Sequence, residues 1–189
     1  MPKIKDVIGA SVRRSLWFVN LFESFFGLPF IRVKRQSCMF IGHYAASFAL
    51  KKFAPRASLR SLLLGVQFVD ILFMIFILFG IERMRLIPGT TASNALKLDF
   101  MPYTHSLAGS VLWAVAAFLL FRFALLAKSF GAARNWIAGA VSASVLSHYF
   151  FDVPMHIPDL PLFGDDSYKL GFGLWNNRTA SIALEFFLT

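Results

Sequence analysis

The chain has 189 residues, of which 57% are apolar and only 15% are charged. One core in so short a chain cannot hide that much apolar surface from water, which excludes an ordinary soluble domain and favours an all-α membrane helix bundle. The net charge of +9 does not indicate binding of nucleic acid, because the bases stand at the ends of apolar runs and anchor membrane segments there. The single cysteine, Cys38, excludes an internal disulfide and a cysteine-built metal cage.

Residues 1–38 form a separate N-terminal extension that is basic and aromatic. Its aromatic stretch, residues 16–31, is too short and too polar for a membrane span and lacks the small-residue cleavage site of a signal peptide. We therefore expect the extension to lie at the membrane interface. Alternatively, translation begins at Met39 and the extension is not native.

Residues 39–189 are the predicted transmembrane helical domain, with about three to five helices. Residues 38–50 form a short apolar helix that either spans the membrane or re-enters it. Residues 61–81 form the clearest span, because at 1.5 Å per residue they match a hydrocarbon core of about 30 Å. This span nevertheless contains Gln67 and Asp70.

Two further spans follow a loop at residues 82–104. Residues 105–127 form the second span, and residues 135–151 form the third. The third span is rich in glycine, alanine and serine, so neighbouring helices can approach it closely and we expect it to be central. After a loop at residues 153–178, the apolar run 179–188 stops at about half the length of a span, which predicts a re-entrant or truncated last helix.

The charged loops predict the orientation of the bundle. Residues 51–60 carry four bases, residues 128–134 carry two, and neither loop contains an acid. Residues 152–178 carry four acids and two bases. Because basic loops stay in the cytoplasm, we expect the first two loops to be cytoplasmic and the loops 82–104 and 152–178 to face outward.

The candidate functional residues are histidines and carboxylates near the outward ends of these helices. His148 and Asp152 are four residues apart, so one helix face presents both, which is a spacing of two metal ligands. His105 opens one span and His148 closes the next, which puts them on the same side of the membrane. Asp70 lies about halfway along its span, and His43 lies in a short helix that can pack beside it. The arrangement permits one metal site made by all five residues.

Imidazole and carboxylate ligands without thiolate suit zinc, with manganese or iron as alternatives. Each candidate also has a structural interpretation. A histidine in an apolar helix is commonly a hydrogen-bonded core residue, and His148 with Asp152 can be a hydrogen bond at a helix end. Asp70 in mid-membrane indicates function, but it can carry a proton instead of binding a metal.

Two further predictions concern the loop after the third span. Pro154 is expected to end the helix, so that His156 either folds back over the helix end or, as we favour, lies in the loop. The acids of residues 159–166, like Asp99, are expected to be solvated loop charges.

Several segments carry a resemblance to a known family. They are, in order, Met39-Phe-Ile-Gly-His43, Gln67-Phe-Val-Asp70, Tyr103-Thr-His105-Ser106, Ser147-His148-Tyr-Phe-Phe-Asp152, His156-Ile-Pro-Asp159-Leu-Pro and Gly171-Phe-Gly-Leu-Trp-Asn176. The set resembles a bacterial family of small multi-pass inner-membrane proteins that are described as membrane-bound metal-dependent hydrolases. The resemblance covers residues 39–189.

The resemblance implies a metal site made by His43, Asp70, His105, His148 and Asp152. It implies hydrolysis of an ester or phosphoester in the inner (cytoplasmic) membrane. Asp70 and His105 are the expected catalytic residues, with Asp70 as ligand or general base. A site at this depth meets membrane lipids and lipid-linked phosphates more readily than soluble substrates. The alternatives are a small transporter or cation-binding membrane protein, and a structural subunit whose polar residues hold helices together.

Overall fold

The computed structural model describes residues 42–126 and 130–188. The predicted extension of residues 1–38 therefore lies outside the described residues. The described residues are mostly helical, as the sequence predicts, but they also form two small antiparallel sheets that the sequence analysis missed.

The described part of the chain contains five α-helices: α1 (Tyr44–Phe53), α2 (Leu59–Leu78), α3 (Leu107–Leu119), α4 (Ala133–Met155) and α5 (Arg178–Leu188). A π-helical segment, Leu120–Leu125, prolongs α3, and a 3₁₀ turn, Leu174–Asn176, precedes α5. Strands β1 (Arg83–Leu86) and β2 (Leu96–Phe100) pair with Leu86 opposite Leu96. Strands β3 (Leu160–Pro161) and β4 (Lys169–Leu170) form the second hairpin.

Among the described residues, two helical stretches are long and apolar enough to cross a membrane, Leu59–Leu78 and Leu107–Leu125. They coincide with the spans predicted at residues 61–81 and 105–127. The third predicted span, residues 135–151, lies within the 23-residue helix α4. That helix is long enough, but its serines, glycine, histidine and aspartate make it less apolar than the other two.

Helix α4 is the central element, because it packs against α1, α2 and α3. Small side chains bring the helices together: a Cβ added to Gly65 of α2 would lie 3.0 Å from the hydroxyl of Ser144. That hydroxyl donates to the carbonyl of Leu62 at 2.5 Å, and the hydroxyl of Ser142 donates to the carbonyl of Ala114 in α3 at 2.7 Å. These contacts fix the position of α4 against both neighbours.

The prediction that Pro154 ends the third helix is wrong. Helix α4 continues through Pro154 to Met155, and the N–H of His156 still donates to the carbonyl of Asp152 at 2.9 Å. A proline in the last turn removes only one backbone hydrogen bond, so the helix can include it near its end. As a result, His148, Asp152 and His156 lie at successive four-residue steps along one face.

Candidate metal centre

All five predicted site residues meet in one place, which lies at the starts of α1 and α3, near the end of α4 and beside the middle of α2. His43 caps the start of α1, Asp70 lies in α2, His105 lies just before α3, and His148 and Asp152 lie in α4. The histidine and Asp152 side chains are at most 7% exposed, whereas that of Asp70 is 17% exposed. Four separate segments of the chain therefore build one buried polar site.

A sixth residue, His156, joins the five, although we predicted that it lies in the loop. Its Nε2 atom lies 3.6 Å from Oδ1 of Asp152, and Nε2 of His43 lies 2.9 Å from the same oxygen. His156 is only 3% exposed, and its ring lies against that of Trp175, with centroids 4.1 Å apart. We call these six residues the His/Asp cluster: His43, Asp70, His105, His148, Asp152 and His156.

Two imidazoles alternate with two carboxylates in the middle of the cluster. Oδ1 of Asp70 lies 3.4 Å from Nε2 of both His105 and His148. Oδ2 of Asp152 lies 3.2 Å from Nε2 of His148 and 3.9 Å from Nε2 of His105. A tetrahedral ion with bonds of about 2.0–2.1 Å separates its ligands by about 3.4 Å, so these four atoms have the spacing of a ligand set.

The tautomer of His148 is fixed by α2. Nδ1 of His148 lies 2.9 Å from the carbonyl oxygen of Val66, which can only accept, so Nδ1 carries a proton. Nε2 of His148 and Oδ2 of Asp152 are both buried, and neither has a hydrogen-bond partner among the described residues. Two carboxylate oxygens, Oδ2 of Asp152 and Oδ1 of Asp70, lie 3.2 and 3.4 Å from Nε2 of His148, so negative charge faces this nitrogen. Unpaired polar atoms of this kind fit a cation.

His105 is oriented by a chain of two residues. The hydroxyl of Thr104 donates to Oε2 of Glu82 at 2.6 Å, so the hydroxyl oxygen of Thr104 is free to accept from Nδ1 of His105 at 2.8 Å. Glu82 is fully buried and also accepts the backbone N–H groups of Tyr103 and Thr104. Nε2 of His105 is therefore the nitrogen that faces Asp70.

Carboxylates and amides orient two other members of the cluster. Nδ1 of His156 donates to Oδ1 of Asp159 at 2.9 Å. On α2, the amide of Gln67 donates to Oδ2 of Asp70 at 2.7 Å, which leaves Oδ1 for the histidines.

The cluster has the composition and spacing of a metal site. Two groups of three residues have ligand atoms within 4.8 Å of one another: His43 with His148 and Asp152, and Asp70 with His105 and His148. Two carboxylates lie among imidazoles whose Nε2 atoms face them. The buried His/Asp cluster could therefore hold a metal ion.

Sequence reasoning missed three residues of this region. His156 was assigned to the loop because Pro154 was expected to stop the helix, although its spacing from Asp152 repeats that of His148. Asp159 was taken as a solvated charge, but it binds His156. Glu82 was passed over, since its partners are 21 and 22 residues away along the chain.

Comparison with known proteins gave no relative: no family model matches the sequence, no curated protein matches it, and no solved structure matches it.

Proposed function

We propose that the chain is a multi-pass protein of the bacterial inner membrane that uses a divalent metal ion to hydrolyse an ester or a phosphoester. The proposal rests on the orientation of three imidazole rings. Nδ1 of His105, His148 and His156 each donates to an acceptor, so only Nε2 of each ring faces the carboxylates. A cation among them would accept the nitrogen lone pairs and neutralise two negative charges.

The ligand types favour zinc, with manganese or iron as alternatives. Imidazole and carboxylate suit all three ions, and the part of the chain that the structure describes offers no thiolate to the cluster. A bound divalent ion supplies a water whose pKa is lowered toward neutrality, which is the nucleophile that hydrolysis needs.

Asp70 would either hold the ion or take up the proton that hydrolysis releases. It is the most exposed member of the cluster, at 17%, and Gln67 holds its other oxygen. His105, just before α3, faces Asp70 at 3.4 Å and is positioned by Thr104. We therefore assign Asp70 as ligand or general base and His105 as ligand beside it.

A membrane location is supported by where the apolar side chains point. In α2 and in Leu107–Leu125, less than a third of the most apolar 18-residue stretch is buried within the protein. Large apolar side chains on both helices are exposed, among them Leu64, Leu112 and Phe123. The core helix of a soluble protein would be mostly buried, so contact with lipid explains these faces better.

The place of the cluster along the helices suggests the substrate class. The cluster lies at the starts of α1 and α3 and near the end of α4, whereas the basic loop of residues 51–60 joins the opposite ends of α1 and α2. With basic loops in the cytoplasm, the cluster lies toward the outer leaflet. Lipid headgroups and lipid-linked phosphates are the esters nearest to that depth.

The first experiment measures metal bound to the detergent-purified protein, together with its His148→Ala and Asp70→Asn variants. We expect the wild type to retain a near-stoichiometric divalent ion and both variants to lose it. Asp99→Asn is the matched control, because it makes the same carboxylate-to-amide change in the half-buried β2 strand, where Asp99 pairs with Arg85 and not with the cluster. The metal-loaded wild type is then assayed against phosphoesters and lipid esters.

Two results would overturn the proposal. A folded wild type that binds neither zinc nor manganese would remove the metal site. A protein that binds metal, hydrolyses none of the esters and carries the ion across liposome membranes would be a transporter instead.

A further inference from the structure

The two oxygens of Asp152 face different halves of the His/Asp cluster. Oδ1 accepts a hydrogen bond from Nε2 of His43 at 2.9 Å, which a bound ion would replace, and lies 3.6 Å from Nε2 of His156. Oδ2 lies 3.2 Å from Nε2 of His148 and 3.9 Å from Nε2 of His105. Each oxygen thus faces its own pair of imidazoles.

The cluster contains more ligands than one ion uses. A tetrahedral site takes four ligands, and here four imidazoles and two carboxylates converge. The two overlapping groups of ligands share Nε2 of His148, but Nδ1 of that ring already donates to Val66. One nitrogen lone pair can bind only one ion, so a second ion must find its nitrogens elsewhere, and His43 and His156 remain.

We infer that the cluster binds two divalent ions, one on each oxygen of Asp152. The first half-site is made by Oδ2 of Asp152 with His105, His148 and Asp70. The second half-site is made by Oδ1 of Asp152 with His43 and His156. Carboxylates bridge ions in this way in two-metal hydrolases. The inference rests on the proposed function, because it divides the same cluster into two sites.

The two half-sites differ in their number of protein ligands. The first has four, which closes a tetrahedral ion, whereas the second has three, the number that leaves a position for water or substrate. The second half-site also borders open space: a cavity of about 200 Å³ is lined by His43, by mostly apolar side chains of α4 and α5 such as Phe151, and by Glu185. The second ion is therefore the one accessible from this cavity.

Metal stoichiometry tests the inference. The full-length protein, stripped with EDTA and reloaded with Mn²⁺, is passed through gel filtration, and manganese per chain is measured. We expect two ions in the wild type and one in both His156→Ala and His43→Ala, since each variant leaves the first half-site intact. Ser142→Ala is the control, because its hydroxyl bonds only to the carbonyl of Ala114 among the contacts described, and we expect it to keep two ions.

Electron paramagnetic resonance gives a second readout that does not depend on activity. Two Mn²⁺ ions that share a carboxylate are exchange-coupled, so we expect a broad coupled spectrum in the wild type and an isolated six-line spectrum in His156→Ala. His43 and His156 lie on different segments, so misfolding of one variant leaves the other as a test.

The outcomes separate this inference from the proposed function. One ion in the wild type, with an uncoupled spectrum unchanged in His156→Ala, would overturn the second site and leave the metal-dependent function standing. Two ions in both histidine variants would also overturn the assignment of His43 and His156. No ion in any sample would overturn both proposals.

Discussion

The first half of α4 packs mainly through apolar side chains, whereas its second half adds buried histidine and aspartate to its apolar contacts. Near its start, Ile137, Ala140 and Val141 form an apolar cluster with Leu62 and neighbouring side chains. Near its end, His148 and Asp152 are as deeply buried, but they face other polar groups. Apolar side chains need no partner outside the protein, whereas two buried carboxylates among imidazoles form a site that could hold a cation.

Removal of metal should give the largest effect, and only at the polar end. We expect EDTA to lower the midpoint of thermal unfolding of the wild type in detergent. An ion present at about 1,000 times its Kd stabilises the folded state by about 4 kcal/mol. Asp152→Asn, which removes the shared carboxylate, should unfold at the same temperature with and without EDTA.

Elemental analysis checks that EDTA has removed the metal. If the unfolding midpoint of the wild type then stays unchanged, a bound ion does not stabilise the end of α4 that carries the cluster.

The second prediction concerns the residues that orient His105. Thr104→Val keeps the shape of the side chain but removes the link between Glu82 and His105. We expect zinc affinity to fall by about 10- to 100-fold, the typical effect of losing a partner that orients a metal ligand. Loss of a donor to buried Glu82 should also cost about 1–3 kcal/mol of stability.

Zinc affinity is measured by competition with a chromophoric chelator. Thr90→Val is the matched control, since Thr90 also donates a hydroxyl hydrogen bond, to the carbonyl of Ile87, but in an exposed turn. Equal zinc affinity in Thr104→Val and the wild type would show that His105 needs no such orientation.

The apolar half of α4 gives the third prediction, which should leave metal binding unchanged. Gly65→Ala would place a Cβ 3.0 Å from Oγ of Ser144 and 3.4 Å from the carbonyl of Val141. Ser144 cannot turn away without losing its hydrogen bond to Leu62. We expect a loss of about 1 kcal/mol in the free energy of unfolding, at normal metal content.

Gly139→Ala is the control for this change, because it is also a helical glycine but has nothing within 4 Å of an added Cβ among the described residues. We expect it to raise stability by up to about 1 kcal/mol. If both alanine variants were equally stable, close packing of α2 on α4 would not matter.

The sequence was sufficient to predict the apolar helices, but it predicted the polar site only in part. Hydrophobic runs predicted α2 and α3 because membrane-length helices depend on composition alone. The spacing of His148 and Asp152 likewise follows from helix geometry. The convergence of His43, Asp70 and His105 depends on tertiary packing, which spacing permits but does not determine.

The misses have identifiable causes. The expectation that Pro154 ends the helix is wrong, and the prediction that His156 lies in the loop depended on it. The hairpin of β1 and β2 was assigned to a loop, although Leu96, Leu98 and Phe100 alternate with Lys97 and Asp99 in the pattern of a strand. Without that hairpin, the approach of Glu82 to Thr104 could not be anticipated.

The smallest effect is expected at the surface of the same hairpin, where charge pairing is not coupled to the cluster. Arg85 binds Asp99 through two hydrogen bonds, but the Arg85 side chain is 60% exposed. Its hydrogen bonds lower the pKa of Asp99, so the pair stabilises the protein at neutral pH and loses that contribution as the pH falls through the lowered pKa. Water and salt screen such a pair, so Asp99→Asn should leave the unfolding midpoint and the metal content at pH 7 within error of the wild type. The metal content is measured by elemental analysis and the midpoint by thermal unfolding. Loss of metal from the variant would contradict the prediction, because the charge of the hairpin would then contribute to metal binding as the buried carboxylates do.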